Sequence, residues 1–226
     1  MNAFLVARYE IAIGLLEKQG AARGTKLLEI GSGDGALLGQ IHNRLGCDVT
    51  GVEPEALAIE LSRAKFNEKG YKGEFINAGG YSYPFPDGAF DMIVCADVIE
   101  HVDKPIAMLT EIRRLLKPGG AAVISTPIRI SEKPLDRFHV QEWYPAEFAE
   151  LCKPVFGDPV ETVISHPVFW FELYKRSFNP GFTNMASRYI VNLMAALGKN
   201  VFLNNNGSWR FFSLQTYIFR KQDKVI

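Results

Sequence analysis

Short apolar runs separated by helical patterns fill the first half of the chain. Each run is bounded by turn residues and is apolar almost throughout, which is typical of buried strands. The five runs lie at 26–30, 48–52, 73–77, 90–96 and 121–126. Apolar spacing predicts helices over 3–19 and 104–117, and shorter helices between the first three runs. Apolar strands that alternate with helices indicate a parallel sheet covered on both faces.

The pattern changes after Pro127. A polar loop leads into a predicted helix, and a further strand is expected near 158–164. An aromatic-rich insertion follows at 166–210, and within it 184–197 has helical spacing. Its apolar positions on one face are Met185, Tyr189, Leu193 and Leu197. The alternating stretch 210–219 predicts a closing strand, so we expect an α/β fold with seven strands, mostly parallel, the last antiparallel.

Composition and charge narrow the class of protein. A chain of 226 residues, 47% hydrophobic and 22% charged, suits one domain spanning 1–226. Basic and acidic residues number 25 each, so no net charge attracts nucleic acid. The three cysteines lack zinc-site spacing, and we expect no metal. Early charges at the N-terminus and the lack of a spanning apolar stretch of roughly 20 residues predict a cytoplasmic protein.

The segment "LLEIGSGDGALL" carries the most informative local pattern. A buried strand ends at Ile30, and alternate glycines at Gly31, Gly33 and Gly35 precede a helix. Glycines allow positive φ and let a ligand approach the backbone, while the first helical N–H groups favour an anionic group. Three interpretations are open at this point: an adenosine cofactor, a dinucleotide, or a tight turn without a ligand.

An acidic residue follows the second strand. Glu53 comes about twenty residues after the glycines, at the edge where the carboxyl ends of parallel strands meet. Two carboxylate oxygens can accept hydrogen bonds from both hydroxyls of a ribose. Glu53 therefore favours an adenosine-containing ligand without deciding which one.

Longer motifs distinguish the cofactors. The chain contains "LLEIGSGDG", "VTGVEPE", "YPFPDGAFDMIVCADVIEHV" and "EIRRLLKPGGAAVISTP" in this order. Over 27–127 it resembles the class I S-adenosylmethionine-dependent methyltransferases, in particular small-molecule enzymes related to ubiquinone biosynthesis. The segment "RFHVQEWYPAEFAELCKPVF" is more weakly similar to methyltransferases of bacterial surface-polysaccharide pathways. The resemblance implies a Rossmann-like sheet and S-adenosylmethionine as cofactor.

The resemblance also implies which residues contact the cofactor. The methionine part would lie among Glu29, Gly31, Ser32, Gly33 and Gly35, and Glu53 would hold the ribose. Asn77 and Ala78 would lie near adenine, although relatives usually carry an aspartate where this chain reads "INAGGY". The sulfonium and amino group would approach Ala96 and Asp97, and Val102 would pack against the adenosine.

Three side chains are candidates for a catalytic base. His139 is the preferred one, because it lies on the loop expected to overhang the acceptor and histidine titrates near neutral pH. His101 belongs to the "EHV" turn of the family, where holding the loop is the favoured role. Asp97 could also act as a base, although cofactor contact is the favoured interpretation.

We therefore expect methyl transfer to a small molecule, with a sugar or glycan precursor as the favoured acceptor. Segment 128–210 would supply an acceptor loop and a cap, and the aromatic insertion could also contact a membrane surface peripherally. The alternatives are a non-catalytic protein that binds the cofactor and, less favoured, a nicotinamide-dependent oxidoreductase. The sequence does not indicate an oligomeric state.

Overall fold

Seven strands form one sheet within residues 2–132, 134, 136–170, 182–205 and 208–222, the part of the chain that the computed structural model describes. The side chains of 182–186 lie outside that description. In chain order the strands are β1 Lys26–Ile30, β2 Asp48–Glu53, β3 Gly73–Asn77, β4 Phe90–Ala96, β5 Leu116–Pro127, β6 Glu161–Pro167 and β7 Phe212–Arg220.

The strand order across the sheet is β3-β2-β1-β4-β5-β7-β6. The first five strands pair in parallel, and β7 runs antiparallel to both β5 and β6. The chain order reverses between β1 and β4, so their carboxyl ends flank the crevice where ligands bind in open α/β sheets. The predicted seven-stranded, mostly parallel sheet with an antiparallel last strand is confirmed.

Helices cover both faces of the sheet. They are α1 Ala3–Lys18, α2 Ala36–Leu45, α3 Ala56–Lys69, α4 Pro105–Leu115, α5 Pro145–Phe156 and α6 Phe182–Ala196, with short 3-10 helices at Ile99–His101, Val201–Leu203 and Trp209–Phe211. One buried core lies between the sheet and α4 and α5, and the other lies beneath α1, α2 and α3. The strands β1, β2 and β4 thus bury side chains on both of their faces.

The aromatic insertion packs against the start of α1. Phe202 is fully buried beside Ala3, Ala7 and Val191. The Ala3 N–H donates to the Asn192 side chain at 2.9 Å, so the insertion fixes the N-terminus of α1 by hydrogen bonds as well as by packing. This contact holds α1 over the carboxyl ends of the strands.

The boundary between α4 and β5 differs from the expected one. The helix expected over 104–117 ends at Leu115, and β5 begins at Leu116 and not at 121. The sequence "KPGG" at 117–120 therefore lies within β5, in a register shift between the pairs Phe90–Leu116 and Met92–Ala121. The helical spacing predicted at 184–197 is confirmed by α6, and on its apolar face Tyr189 is 70% and Leu197 is 73% exposed.

The three cysteines belong to the core of the protein. Cys47, Cys95 and Cys152 are free and buried, which confirms Cys95 as a core residue. In the described ranges, the helices are too short or too polar to cross a membrane. Residues 171–181 lie outside the description, so the predicted cap at 128–210 stays a prediction.

Candidate active site

A cavity of about 160 Å³ opens beneath α1 at the carboxyl ends of β1 and β4. Its walls come from α1, from the turn after β1, and from the central and last strands. They are Leu5, Arg8, Tyr9, Ala12, Glu29, Gly31, Ser32, Gly33, Asp34, Leu37, Ala96, Asp97, Val123, Ser125, Leu214 and Thr216. Predicted cofactor residues therefore line one cavity together with α1 residues that sequence reasoning did not identify.

The turn at 31–35, which we call the glycine turn, is shaped by its glycines. Gly31, Gly33 and Gly35 all have positive φ. A Cβ atom added to Gly31 would lie 2.3 Å from Cγ2 of Val98, so the turn packs directly against the segment after β4. The Gly31 N–H donates to the Val52 carbonyl at 2.9 Å, which ties the turn to β2. The glycine turn is thus a fixed wall of the cavity.

Four buried polar atoms around the cavity have no hydrogen-bond partner among the described residues. They are Arg8 Nε, Glu29 Oε2, Ser32 Oγ and Asp97 Oδ1. Leaving such atoms unpaired costs free energy unless a ligand satisfies them. Burial, together with the charges of Asp34 and Glu53, raises the pKa of Glu29 well above its usual value. The cavity therefore offers donors and acceptors to a ligand that carries both signs of charge.

Asp97 connects α1 to the end of β4. Its carboxylate forms an ion pair with Arg8 at 2.7 Å, and the backbone of Asp97 has a φ of 55°. Burial raises the pKa of Asp97, while the nearby charges of Arg8, His101 and His139 act to lower it. The residue is thus held in an uncommon backbone conformation between the cavity and the two histidines.

The predicted ribose and adenine residues meet at the neighbouring strand ends. Glu53 and Asn77 are partners in the β2–β3 pairing. The Glu53 carboxylate accepts hydrogen bonds from the N–H groups of Gly33 at 3.0 Å and Glu55 at 3.1 Å. The Asn77 amide donates to the carbonyls of Glu53 and Pro54, which fixes its orientation and turns its amide oxygen away from them. Glu53 and Asn77 do not line the cavity itself.

Two further cofactor predictions follow β3 and β4. The Ala78 N–H donates to the Glu53 carbonyl at 3.1 Å, which places Ala78 beside the ends of β2 and β3. Val102 ends the 3-10 helix Ile99–His101 and packs, partly buried, against the core on the α4 side.

A second group of ionisable side chains lies after the end of β4. Glu100, His101 and His139 each offer one atom, and these atoms lie within 4.8 Å of one another. Burial and the charge of Asp97 raise the pKa of Glu100 to about 8. Glu100 Oε2 accepts a hydrogen bond from Thr126 at 3.0 Å, and its Oε1 has no partner among the described residues. We call these three residues the acid–histidine cluster.

The histidine loop, residues 128–144, brings His139 to the cluster. Its two ends are joined by a bridge between Ile128 and Trp143. Its middle is fixed by the Val140 N–H, which donates to the Glu100 carbonyl at 2.8 Å. The His101 and His139 rings meet edge to face with centroids 4.8 Å apart. His139 thus lies next to His101 although 38 positions separate them in the sequence.

One carboxylate and two imidazoles are also ligand types that divalent metals accept. The prediction that the protein has no metal stays a prediction. The cluster is the place where that prediction can be tested.

The structure brings the three predicted catalytic residues together. His101 and His139 lie close enough to Asp97 for their charges to act on its carboxyl group. Sequence reasoning missed Arg8, Tyr9 and Glu142. Arg8 is the first charged residue of α1, which was the available signal, but only folding brings it to Asp97, 89 positions later.

Comparisons with known proteins agree with this geometry. Residues 28–124 match a family model described as a methyltransferase domain. The chain is 30% identical over 166 residues to a ubiquinone biosynthesis O-methyltransferase of Cereibacter sphaeroides, covering 66% of this chain and 67% of that one. A similar enzyme of Roseobacter denitrificans is 29% identical over 66% of each chain.

Solved structures share the fold. Phosphoethanolamine N-methyltransferase 2 of Haemonchus contortus, in complex with S-adenosyl-L-methionine, superposes with a TM-score of 0.69 at 18% identity, over 96% of this chain and 53% of that one. A S-adenosylmethionine-dependent methyltransferase of Aquifex aeolicus gives a TM-score of 0.56 at 19% identity, over 68% and 81%.

The chain belongs to the class I S-adenosylmethionine-dependent methyltransferases. It is therefore a methyl-transferring enzyme that uses S-adenosylmethionine, and the nicotinamide alternative is removed.

Proposed function

We propose that this enzyme transfers the methyl group of S-adenosylmethionine to a hydroxyl oxygen of a small molecule. The acid–histidine cluster is the observation that carries the proposal. A hydroxyl keeps its proton at neutral pH, so its oxygen becomes a good nucleophile only when a base accepts that proton. An amine in its neutral form already has a nucleophilic lone pair and needs no such base. The curated relatives are named as O-methyltransferases, which supports the same choice of atom.

The unpaired atoms of the cavity match the amino acid end of the cofactor. Its ammonium would donate hydrogen bonds to the carboxylates of Glu29 and Asp97. Its carboxylate would accept hydrogen bonds from Arg8 and Ser32. These are the four cavity residues that have a buried polar atom without a partner in the described structure. Charge-assisted hydrogen bonds of this kind are stronger than neutral ones. Gly31, Gly33 and Gly35 would leave room for the ligand against the backbone.

The nucleoside end would lie toward β2 and β3. Glu53 would accept hydrogen bonds from the ribose hydroxyls, and Asn77 would offer its amide oxygen to the adenine amine. Ala78, Ala96 and Val102 would supply apolar contacts. The restriction of Asn77 by its two carbonyl contacts supports this role, because its amide nitrogen is already used.

The cofactor, when bound, supplies a methyl group that is already activated by its positive sulfur. The protein then has to orient the acceptor, exclude water and remove one proton. Orientation alone is worth several kcal/mol, about 7–11 in the most favourable cases. We assign proton removal to His139: the acceptor oxygen forms a bond to the methyl carbon as the carbon–sulfur bond breaks, and the hydroxyl proton passes to the imidazole.

The acceptor we favour is a phenolic hydroxyl. The relatives' printed activity concerns ubiquinone biosynthesis, which favours a ring hydroxyl over the sugar or glycan precursor expected from the "FHVQEW" segment. The groove beside the histidine loop is lined by aromatic and cationic side chains, with the Arg129 guanidinium 4.1 Å from the centre of the Tyr144 ring. Such walls suit a flat, electron-rich molecule.

The test is turnover with a panel of acceptors. Purified enzyme is incubated with S-adenosylmethionine and a catechol, a phenol, a simple amine or a hexose, and S-adenosylhomocysteine is measured with the methylated product. We expect the catechol or phenol to be methylated, and His139→Asn to lower turnover by roughly 10²–10⁴-fold. His42→Asn is the control. Methylation of the amine alone, or full activity of His139→Asn, would contradict the proposal.

A further inference from the structure

We infer that Glu142 is a positioning residue for His139: it accepts a hydrogen bond from Nδ1–H and thereby keeps the lone pair of the imidazole on Nε2. This inference rests on the proposed function for its catalytic meaning, although the tautomer can be measured independently. It identifies a second residue of the histidine loop on which proton removal depends.

The contact between the two side chains is short and sheltered. His139 Nδ1 lies 2.6 Å from Glu142 Oε1, and the side chains are only 12% and 5% exposed. An ionised carboxylate has only lone pairs to offer, so the hydrogen must be on the imidazole nitrogen. A neutral imidazole has one N–H, and its other nitrogen, Nε2, is then the acceptor.

The loop has the geometry to maintain this contact. Glu142 is three residues after His139, and Trp143, the next residue, is fixed at the base of the loop by its bridge to Ile128. The His139 ring is bounded on another side by His101. The carboxylate and the neighbouring ring together restrict rotation of the His139 side chain, which orients Nε2 as well as assigning its lone pair.

The other histidines provide internal references, because their partners also define tautomers. His42 Nδ1 lies 2.9 Å from the Cys47 carbonyl and His101 Nδ1 lies 3.0 Å from the Phe138 carbonyl. A carbonyl can only accept, so both residues carry hydrogen on Nδ1 when neutral. His166 is the opposite case, since its Nε2 lies 3.0 Å from the Phe4 carbonyl. Burial lowers the pKa of His166 to about 3 and keeps it neutral.

The direct test is long-range proton–nitrogen NMR of the full-length, nitrogen-15-labelled protein at about pH 8.5, where histidines with ordinary pKa values are neutral. The chain has four histidines, so each can be assigned by substitution. We expect hydrogen on Nδ1 for His42, His101 and His139, and on Nε2 for His166. A wild-type His139 with its hydrogen on Nε2 would overturn the inference.

Substitution separates positioning from packing. Glu142→Leu should release His139 into a mixture of tautomers and leave the other three histidines unchanged. Glu142→Gln keeps an oxygen acceptor and should retain the wild-type tautomer. Glu150→Leu, on the exposed side of α5, is the control. If Glu142→Leu leaves the His139 signals as they are in the wild type, Glu142 does not set the tautomer and the inference is wrong.

Kinetics test the catalytic consequence. With the phenolic acceptor of the panel that turns over fastest, we expect Glu142→Leu to lower kcat by about ten- to a hundredfold, with KM for S-adenosylmethionine unchanged and activity recovered in Glu142→Gln. Unchanged kcat in Glu142→Leu would overturn the positioning role. Loss of activity in Glu142→Leu but not in His139→Asn would reject His139 as the base, which is a failure of the proposed function and not of the tautomer assignment.

Discussion

The glycine turn and the histidine loop lie at the same edge of the sheet but are constructed differently. The glycine turn is formed by five consecutive residues, and both the positive φ values of its three glycines and the close approach of Gly31 to Val98 are backbone properties. The histidine loop depends on contacts between distant residues, such as that of His101 with the Phe138 carbonyl. The first region is therefore a wall fixed by its own backbone, which we propose contacts the cofactor, while the second brings ionisable side chains to the same edge of the sheet.

The largest expected effect is a loss of turnover without a loss of cofactor affinity, which would show that the two regions have different functions. His139→Asn should lower kcat by roughly 10²–10⁴-fold, because in the proposed mechanism the acceptor proton passes to the His139 imidazole. The affinity for S-adenosylhomocysteine should be unchanged, since His139 does not line the cavity. Steady-state kinetics and calorimetric titration of the same preparation measure both quantities. A parallel loss of cofactor affinity would show that the regions are not separate.

The pH dependence of stability tests the burial of Glu100. Its pKa is raised to about 8 in the folded protein, so protonation favours folding, and its contribution to stability is lost as pH rises from about 4.5 to about 8. Glu100→Gln should therefore be more stable than the wild type by roughly 3 kcal/mol at pH 8, with little difference at pH 4. Urea unfolding at several pH values measures this difference.

Glu111 is the matched control, because its pKa is lowered in the folded protein whereas the pKa of Glu100 is raised. Burial acts to raise its pKa, but the ion pair with Arg114 and the hydrogen bond from the Tyr83 N–H lower it overall. Stability from Glu111 is thus present above the ordinary carboxyl pKa and is lost as pH falls below it. Glu111→Gln should be destabilising at neutral pH and less so in acid. The same trend in both variants would contradict the account of Glu100.

A comparison of two glycines tests the rigidity of the glycine turn. Gly31→Ala places a Cβ against Val98, whereas Gly70→Ala meets nothing within 4 Å, although φ is positive at both sites. Both variants share the strain of a left-handed residue, and only the first adds a clash. We expect Gly31→Ala to lose about 2 kcal/mol more stability in urea unfolding. Equal losses would mean that the turn adjusts freely.

The smallest effect concerns the ion pair between α1 and β4. Arg8→Met should weaken binding of S-adenosylhomocysteine by about ten- to thirtyfold, because a charged hydrogen-bond donor to the ligand is removed. Arg44→Met removes the exposed ion pair with Glu10 and serves as the control. Calorimetric titration measures the affinity. Equal affinities of the two variants would exclude Arg8 from the cofactor site.

The sequence was a good guide wherever neighbouring residues determine the structure. Apolar runs predicted β1 and β4 to the residue because strands buried on both faces have a simple pattern. The same reasoning missed the start of β5, because "KPGG" lies in a register shift between the pairs Phe90–Leu116 and Met92–Ala121, which a run of apolar residues does not reveal. The helical spacing of 184–197 left open whether another element covers its apolar face, and in the structure Tyr189 and Leu197 are exposed.

The residues of the candidate site also fall into two groups: those that the local sequence predicts and those that only folding brings together. Glu29, the glycines and Glu53 could be predicted because their spacing along the chain is the motif itself. His139 could be named, but its partner could not, because Glu142 is an ordinary surface residue type in the sequence and becomes nearly buried only in the folded loop. Arg8 was missed since its contact with Asp97 crosses from the first helix to the end of the fourth strand.

The most direct test of the cofactor site compares two ligands by calorimetric titration. S-adenosylhomocysteine carries the amino acid end, and 5′-methylthioadenosine has the same nucleoside without it. If Arg8, Glu29, Ser32 and Asp97 hold the amino acid end, the wild type should bind S-adenosylhomocysteine at least about a hundredfold more tightly, and Glu29→Gln should reduce that preference. Equal affinity of the wild type for the two ligands would contradict the account.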